Sequence, residues 1–295
     1  MLATVPNIRL QFNNILFPTD FSVFSEAALP YAEALARRYE ATLYPAHVVP
    51  PEPYHGLPMD PFPVTLDYAW HAAEESLAKL ATLNQLKDIH HQILLKQGPL
   101  WEVIAAMVEK NRVDLIVLGT HGRTGLSRLA MGSVAEEIYR RATCPVLCVG
   151  PKVPHESKLA PEFRRILFAT DFSAASRAAL PYALTLAEES QARLVLLHLI
   201  PLVPVVDREA VKAEALERLK ALIPTDASAW CTPEFDVRFE FPAEAIVRAA
   251  ARHHSDVIVM GVQHNGHARA VSHLPWATAT EVVAMAPCPV LTVRG

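Results

Sequence analysis

An internal repetition constrains this chain more than any other feature. Residues 15–22 read Ile-Leu-Phe-Pro-Thr-Asp-Phe-Ser, and residues 166–173, 151 positions later, repeat them with Ala169 in place of Pro18. At the same spacing the Leu-Pro-Tyr-Ala of residues 29–32 returns at 180–183, and His47 returns as His198. The run DLIVLG at 114–119 answers DVIVMG at 256–261, and the Cys-Pro-Val-Leu at Cys144 answers that at Cys288. The spacing contracts from 151 to 142 between landmarks, so insertions and deletions separate the copies. Repetition on this scale predicts two copies of one domain, and 295 residues suit two domains. The expected layout is a first domain over residues 1–150, a linker with Pro151, Pro154 and Pro161 over 151–164, and a second domain over 165–295.

Within each copy, strand-like apolar runs alternate with helix-spaced ones. In the first copy residues 14–19, 42–49, 89–96, 113–119 and 145–149 read as strands, and residues 24–40, 65–86, 100–110 and 133–141 as helices. Leu66, Ala69, Ala73, Leu77 and Leu80 share one side of the second helix. Pro30 falls inside the first helix, where it should cost stability or bend it, or near that helix's first turns. Strands written as unbroken apolar runs are buried on both faces, which predicts an α/β fold with a parallel sheet covered by helices. Ligands of such sheets bind at the carboxyl ends of the strands, where the strand order reverses.

Composition narrows the function classes. With 51% hydrophobic and 20% charged residues the chain is globular rather than disordered. A formal net charge of −4 gives no basic field for nucleic acid. No apolar run approaches the roughly 18 residues of a membrane span, and residues 1–14 lack the basic start and apolar block of a signal peptide. The four cysteines, Cys144, Cys148, Cys231 and Cys288, form no disulfide framework. The expectation is a cytoplasmic protein with no nucleic-acid or membrane partner.

The residues that follow the strands carry the chemistry. The first strand ends in Pro18-Thr19-Asp20-Phe21-Ser22. The fourth runs into Gly119-Thr120-His121-Gly122-Arg123 and, after eight further residues, Gly132-Ser133, a Gly-x2-Gly-x9-Gly-Ser spacing. Gly119 and Gly122 allow tight turning and close approach to a ligand. Gly132-Ser133 opens a helix, whose unpaired N–H groups and positive dipole end favour an anion. The Ser133 hydroxyl is an N-cap or a phosphate donor, and Arg123 and Arg128 are available to a polyphosphate. Asp20 is an acceptor suited to ribose hydroxyls or a ligand amine.

With these motifs in order, the chain resembles the universal stress protein family, as a tandem member with two repeats. The resemblance implies two flavodoxin-like or Rossmann-like domains of the adenine nucleotide alpha hydrolase type, each a five-stranded parallel sheet between helices. It also implies binding of ATP, alone or with Mg²⁺, without strong catalysis. The residues carried over are Pro18, Thr19, Asp20 and Val48 near the adenine, then Leu118, Gly119, His121, Gly122 and Arg123 around ribose and phosphates. Gly132, Ser133 and Val134 follow at the phosphate-holding helix start. No catalytic or metal-binding residue is implied. Related single domains pair through their last strands, so residues 145–149 and 289–293 are expected to join within the chain, and whole chains can also dimerise.

The second copy departs from the pattern. Asp171, Leu199 and Gly261 keep its first part, but Trp276 stands where Gly132 should be and Ala277 where Ser133 should be. A bulky side chain at the helix start and a missing hydroxyl predict a second site that binds no triphosphate, or binds it far more weakly.

Plainer readings compete. Asp20 and Asp171 can cap the following helices. The loop histidines His264, His267 and His273 lack carboxylate or thiolate partners at metal spacing and read as solvated. His47 and His198 read as packing residues, and Cys144 and Cys288 as small core residues. The proline-dense residues 50–63 are a lid over the first site or an irregular excursion. There is no Gly-x4-Gly-Lys-Ser/Thr loop, no Gly-x-Gly-x-x-Gly after the first strand and no Gly-x-Ser-x-Gly elbow. Three classes stay open: a nucleotide-binding regulatory protein, a nucleotide-independent scaffold or chaperone-like protein, and a slow ATPase.

Overall fold

The computed structural model describes residues 10–51, 66–82, 86–120, 131–154, 161–202, 204, 206–263 and 275–295. They gather into two compact units, one holding residues 11–120 and 131–146, the other residues 147–295 with Leu10. In chain order the first repeat runs β1 (Asn14–Pro18), α1 (Val23–Glu26), α2 (Leu29–Tyr39), β2 (Thr42–Val49), α3 (Leu66–Thr82), β3 (Leu94–Gln97), α4 (Leu100–Lys110), β4 (Leu115–Gly119), α5 (Ser133–Arg141) and β5 (Val146–Val149). The second runs β6 (Arg165–Thr170), α6 (Ala174–Ser190), β7 (Arg193–Ile200), α7 (Arg208–Lys220), β8 (Thr232–Phe239), α8 (Pro242–Arg252), β9 (Val257–Val262), α9 (Pro275–Met285) and β10 (Val290–Arg294).

The strand order in the first unit is β3-β2-β1-β4, with every pair parallel. Beyond β4, the Ile116 amide donates to the Pro145 carbonyl just before β5 (3.0 Å). In the second unit the order is β10-β9-β6-β7-β8, again parallel throughout. The chain therefore leaves β1 toward β2 on one side and returns to β4 on the other, and it does the same about β6. Each crossing point leaves a crevice at the carboxyl ends of the strands. The central strands are buried on both faces, with Ile15, Leu16 and Phe17 in β1 and Ile166, Leu167 and Phe168 in β6 wholly inaccessible, as expected for a sheet covered by helices.

The duplication extends to unusual backbone conformations. All six described non-glycine residues with positive φ fall into matched pairs: Phe21 (60°) with Phe172 (62°), Glu40 (51°) with Gln191 (47°), and Arg112 (50°) with His254 (49°). Glu40 and Gln191 are left-handed C-caps of α2 and α6. Asp114 and Asp256 repeat another device. Asp114 accepts the amides of Asn13 (2.8 Å) and Asn14 (3.1 Å), and Asp256 those of Arg164 (3.0 Å) and Arg165 (2.9 Å). Each carboxylate ties the start of its repeat's first strand to the start of its fourth.

The copies differ where Leu-Pro-Tyr-Ala recurs. The helix expected over residues 24–40 breaks at Ala27 and Ala28, and Pro30 sits in the first turn of α2, where its missing N–H is not needed. In the second repeat α6 is continuous and carries Pro181 in its interior. The strand expected over 89–96 is shorter, with residues 94–97 in β3 and an isolated bridge from His91 to Leu43.

Candidate functional site

The site begins at the turn after β1. Thr19 is the last residue held by the ladder, its amide donating to the Ala46 carbonyl (2.8 Å). The buried Thr19 hydroxyl then accepts the Phe21 amide (3.0 Å) and meets the Ser25 hydroxyl (3.0 Å). Asp20 Oδ1 accepts the Ser22 amide (3.0 Å). Ser22, not Asp20, is the N-cap of α1, its hydroxyl accepting the Ser25 amide (3.1 Å). The cap role weighed for Asp20 thus belongs to the serine two residues on. Asp20 shapes the turn from a half-buried position at the rim of the crevice.

Phe21 holds a left-handed conformation that a bulky L-residue adopts at a cost of roughly 1–3 kcal/mol. His47 supports it. His47 lies inside β2, half-buried, and its ring packs against Phe21 with centroids 4.7 Å apart and planes inclined by 33°. Its Nδ1 lies 2.7 Å from the Thr19 carbonyl oxygen. A carbonyl can only accept, so Nδ1 carries the proton. Reading His47 as a packing residue is therefore incomplete, because it also donates to the turn. Sequence reasoning missed this contact because its partner is a backbone atom; the recurrence at His198 was the available signal.

The second repeat reproduces the arrangement. Phe172 N–H donates to Thr170 Oγ1 (3.0 Å), and the Thr170 hydroxyl reaches Ser176 (3.0 Å). Asp171 Oδ1 accepts the Ser173 amide (2.9 Å), and Ser173 caps α6. His198 Nδ1 lies 2.8 Å from the Thr170 carbonyl, and its ring is 4.4 Å from Phe172. Burial, opposed by the Thr170 contact and reinforced by Arg218, holds the His198 pKa below its usual value. For Asp171 burial acts upward, but the hydrogen bonds from Ser173 and Ser176 prevail and hold its carboxyl below the usual range. The surroundings differ: Arg218 of α7 lies over the Phe172 ring at 4.0 Å, and Arg177 donates to the Phe172 carbonyl (2.5 Å). Arg177 occupies the position of Glu26 in the first repeat.

Across β1 from His47 stands the end of β4. Leu118 is buried in the strand, and Gly119 closes it. A Cβ on Gly119 would lie 2.2 Å from the Phe24 carbonyl oxygen, so this glycine is required by the approach of α1. Gly261 meets the backbone of Ala175 just as closely. Past Gly119, the buried Thr120 accepts the Gly132 amide through its carbonyl (2.8 Å), bringing the two ends of the intervening loop together. The loop residues His121, Gly122, Arg123 and Arg128 lie outside the described residues, as do His264, His267 and His273.

Gly132, rather than Ser133, is the N-cap of α5. Its φ of −60° and ψ of 147° suit any residue, and no side chain caps the helix. Ser133 and Val134 follow as exposed first-turn residues. The start of α5 is therefore bounded by glycine backbone and small side chains. In the second repeat the helix starts earlier relative to the shared Cys-Pro. Pro275 opens α9, so Trp276 and Ala277 lie within its first turn, and the first helical residue has no N–H.

The structure thus brings Pro18, Thr19, Asp20, Val48, Leu118, Gly119, Gly132, Ser133 and Val134 to the carboxyl ends of β1, β2 and β4 in one unit. Among the described residues no group of His, Cys, Asp and Glu side chains is arranged to hold a metal, and no helix is long and apolar enough to cross a membrane.

Comparison with known proteins shows the family and the fold. A model described as the universal stress protein family matches residues 11–150 and again residues 162–294. Universal stress protein MJ0531 of Methanocaldococcus jannaschii is 34% identical over 140 residues, which cover 47% of this chain and 82% of that protein. Universal stress protein A homolog 1 of Coxiella burnetii is 33% identical over 147 residues, 48% of this chain and 99% of that protein. In structure, a universal stress protein from Archaeoglobus fulgidus is similar across both repeats, with a TM-score of 0.71 at 21% identity, covering 97% of this chain and 99% of that one.

Proposed function

The chain belongs to the universal stress protein family, in a tandem form, and from that premise we propose that it is an ATP-binding regulatory protein with one competent nucleotide site, in the first repeat. The observation that carries this reading is the open start of α5: an N-terminus capped by glycine backbone alone, drawn beside the end of β4 by the Thr120–Gly132 hydrogen bond. Such a helix end offers unpaired N–H groups and the positive end of a dipole to phosphoryl oxygens. Gly132, Ser133 and Val134 would hold the phosphates, with His121, Gly122 and Arg123 from the loop. Pro18, Thr19, Asp20 and Val48 would line the nucleoside end, and Leu118 and Gly119 the floor between. ATP supplies a polyanion and a nucleoside, and nothing in this reading requires its hydrolysis. Asp20 is the one described carboxylate at the turn, which favours binding over metal-assisted catalysis.

In this reading residues 1–150 form the nucleotide-binding domain, 151–164 the linker and 165–295 a domain that keeps the turn but not the phosphate cradle. The proline-led start of α9 and the two arginines around Phe172 support that asymmetry. Native mass spectrometry of gently purified protein, then of protein given excess ATP and Mg²⁺, tests it. The expected result is one ATP per chain, lost in Gly122→Val. Two per chain would refute the inactive second site. None would refute the nucleotide reading and leave the scaffold alternative.

A further inference from the structure

We propose that His47 is a positioning residue for the nucleotide site, its Nδ1–H and ring holding the Thr19–Phe21 turn so that Asp20 faces the ligand. The inference rests on the nucleotide reading above and adds to it a residue that touches no ligand. Three observations carry it. The turn contains a strained residue, Phe21 at φ 60°, which needs support from outside the turn. That support comes from one side chain making two contacts, 2.7 Å from Nδ1 to the Thr19 oxygen and 4.7 Å from ring to ring with Phe21. The same pair of contacts recurs at His198, at 2.8 Å and 4.4 Å, although the loops and helix starts around the two turns have diverged.

The ladder ends where His47 takes over. Thr19 N–H is committed to Ala46, and the Thr19 hydroxyl to Phe21 and Ser25. The Thr19 carbonyl belongs to the peptide leading into Asp20, and His47 fixes that peptide's plane. Removing the donor leaves a half-buried carbonyl unpaired and frees Phe21 to relax to negative φ. That relaxation swings the Asp20 carboxylate out of its present direction.

The test is calorimetric binding of ATP, 2′,3′-dideoxy-ATP and inosine triphosphate to the full chain and its variants. The two analogues lack the ribose hydroxyls and the exocyclic amine, the donors that Asp20 is suited to accept. Wild type is expected to prefer ATP over at least one of them. His47→Phe keeps a ring but no donor and should bind ATP about ten-fold more weakly, with the preference lost. His47→Asn places an amide N–H near the Nδ1 position and should stay within about three-fold of wild type. In an Asp20→Ala background, His47→Phe should cost nothing further, because its effect passes through Asp20.

An unchanged preference in His47→Phe, or equal losses for ATP and both analogues, overturns the proposal. So does a folded His47→Asn that loses ten-fold, a result that keeps the test decisive even where His47→Phe does not fold. Wild type that binds no nucleotide fails the functional reading itself, before any variant is compared.

Discussion

Glu33 and Leu184 hold the same position in the two copies of one helix, and both are buried, at 6% and 8% exposure. Leu184 fills its place with hydrocarbon. Glu33 carries a carboxyl whose Oε1 has no hydrogen-bond partner, while Oε2 lies 3.6 Å from Arg37 on the same helix. Burial pushes its pKa to about 7, against the weaker downward pull of Arg37. A carboxyl whose folded pKa is raised favours the fold while protonated. Its contribution is fully present below the unfolded value of 4.5 and is lost as pH rises through about 7. Glu33→Leu is therefore expected to stabilise the chain by about 2 kcal/mol at pH 8 and by much less at pH 5. Urea unfolding of both proteins at the two pH values measures this difference. An equal gain at both would show that packing, not ionisation, distinguishes the copies.

Gly119 and Gly261 are predicted to tolerate no side chain, for a reason independent of any ligand. A Cβ at Gly119 would lie 2.2 Å from the Phe24 oxygen, and one at Gly261 2.2 Å from the Ala175 carbonyl carbon. Both obstacles are backbone, which cannot rotate away. Gly119→Ala and Gly261→Ala should each cost roughly 1–3 kcal/mol of stability, read by chemical denaturation. Gly261 is the informative partner because its repeat carries Trp276 and Ala277 where the first has Gly132 and Ser133. A loss confined to Gly119→Ala would contradict the packing account.

Much of this organisation is legible in the sequence because it is duplicated. Helices α4 and α5 begin and end where their periodicity and flanking residues predict, at Leu100–Lys110 and Ser133–Arg141. Strand β3 is less legible: residues 87–93 mix Lys87, Asp88, His90, His91 and Gln92 with two isoleucines, and pairing is confined to one bridge before β3 begins. At the site, residue identities located the turn and the helix start correctly. They left the cap open, because Asp20 and Ser22 both suit that place and only geometry separates them. The packing need of Gly119 was not legible, because glycine's two uses, clearing space for a ligand and clearing space for a helix, leave the same letter.

The cysteines should separate cleanly by reactivity. Cys148 is wholly buried, Cys288 and Cys231 nearly so, while Cys144 is half-buried. Burial drives the Cys148 thiol far above its usual range and Cys231 up to about 11. Cys288 rises to about 12, through burial first and then the Asp256 carboxylate. Thiolate is the reactive form, so at pH 8 an alkylating reagent should modify Cys144 in the native chain and the other three only after unfolding. Peptide mapping after a short pulse identifies the site. Rapid native modification of Cys148 would mean that β5 opens readily.

The two prolines of the repeated Leu-Pro-Tyr-Ala should respond in opposite directions to the same substitution. Pro181 lies inside α6, where it removes the amide that would donate to the Arg177 carbonyl and crowds that carbonyl with its ring. Pro30 lies in the first turn of α2, where an amide has no helical acceptor and a fixed φ is already suitable. The break at Ala27 and Ala28, with Tyr31 and Ala32 both donating to the Ala28 carbonyl, is what moved Pro30 to that position. Pro181→Ala should thus stabilise the chain by about 1–2 kcal/mol, part of the roughly 3 kcal/mol that an interior proline costs in a free helix. Pro30→Ala should lower stability by up to about 1 kcal/mol, since it restores freedom to the unfolded chain and gains no hydrogen bond. Paired denaturation curves measure both, and a gain from Pro30→Ala would show that α1 and α2 are held apart by the proline alone, ready to fuse into the single helix seen in the second repeat.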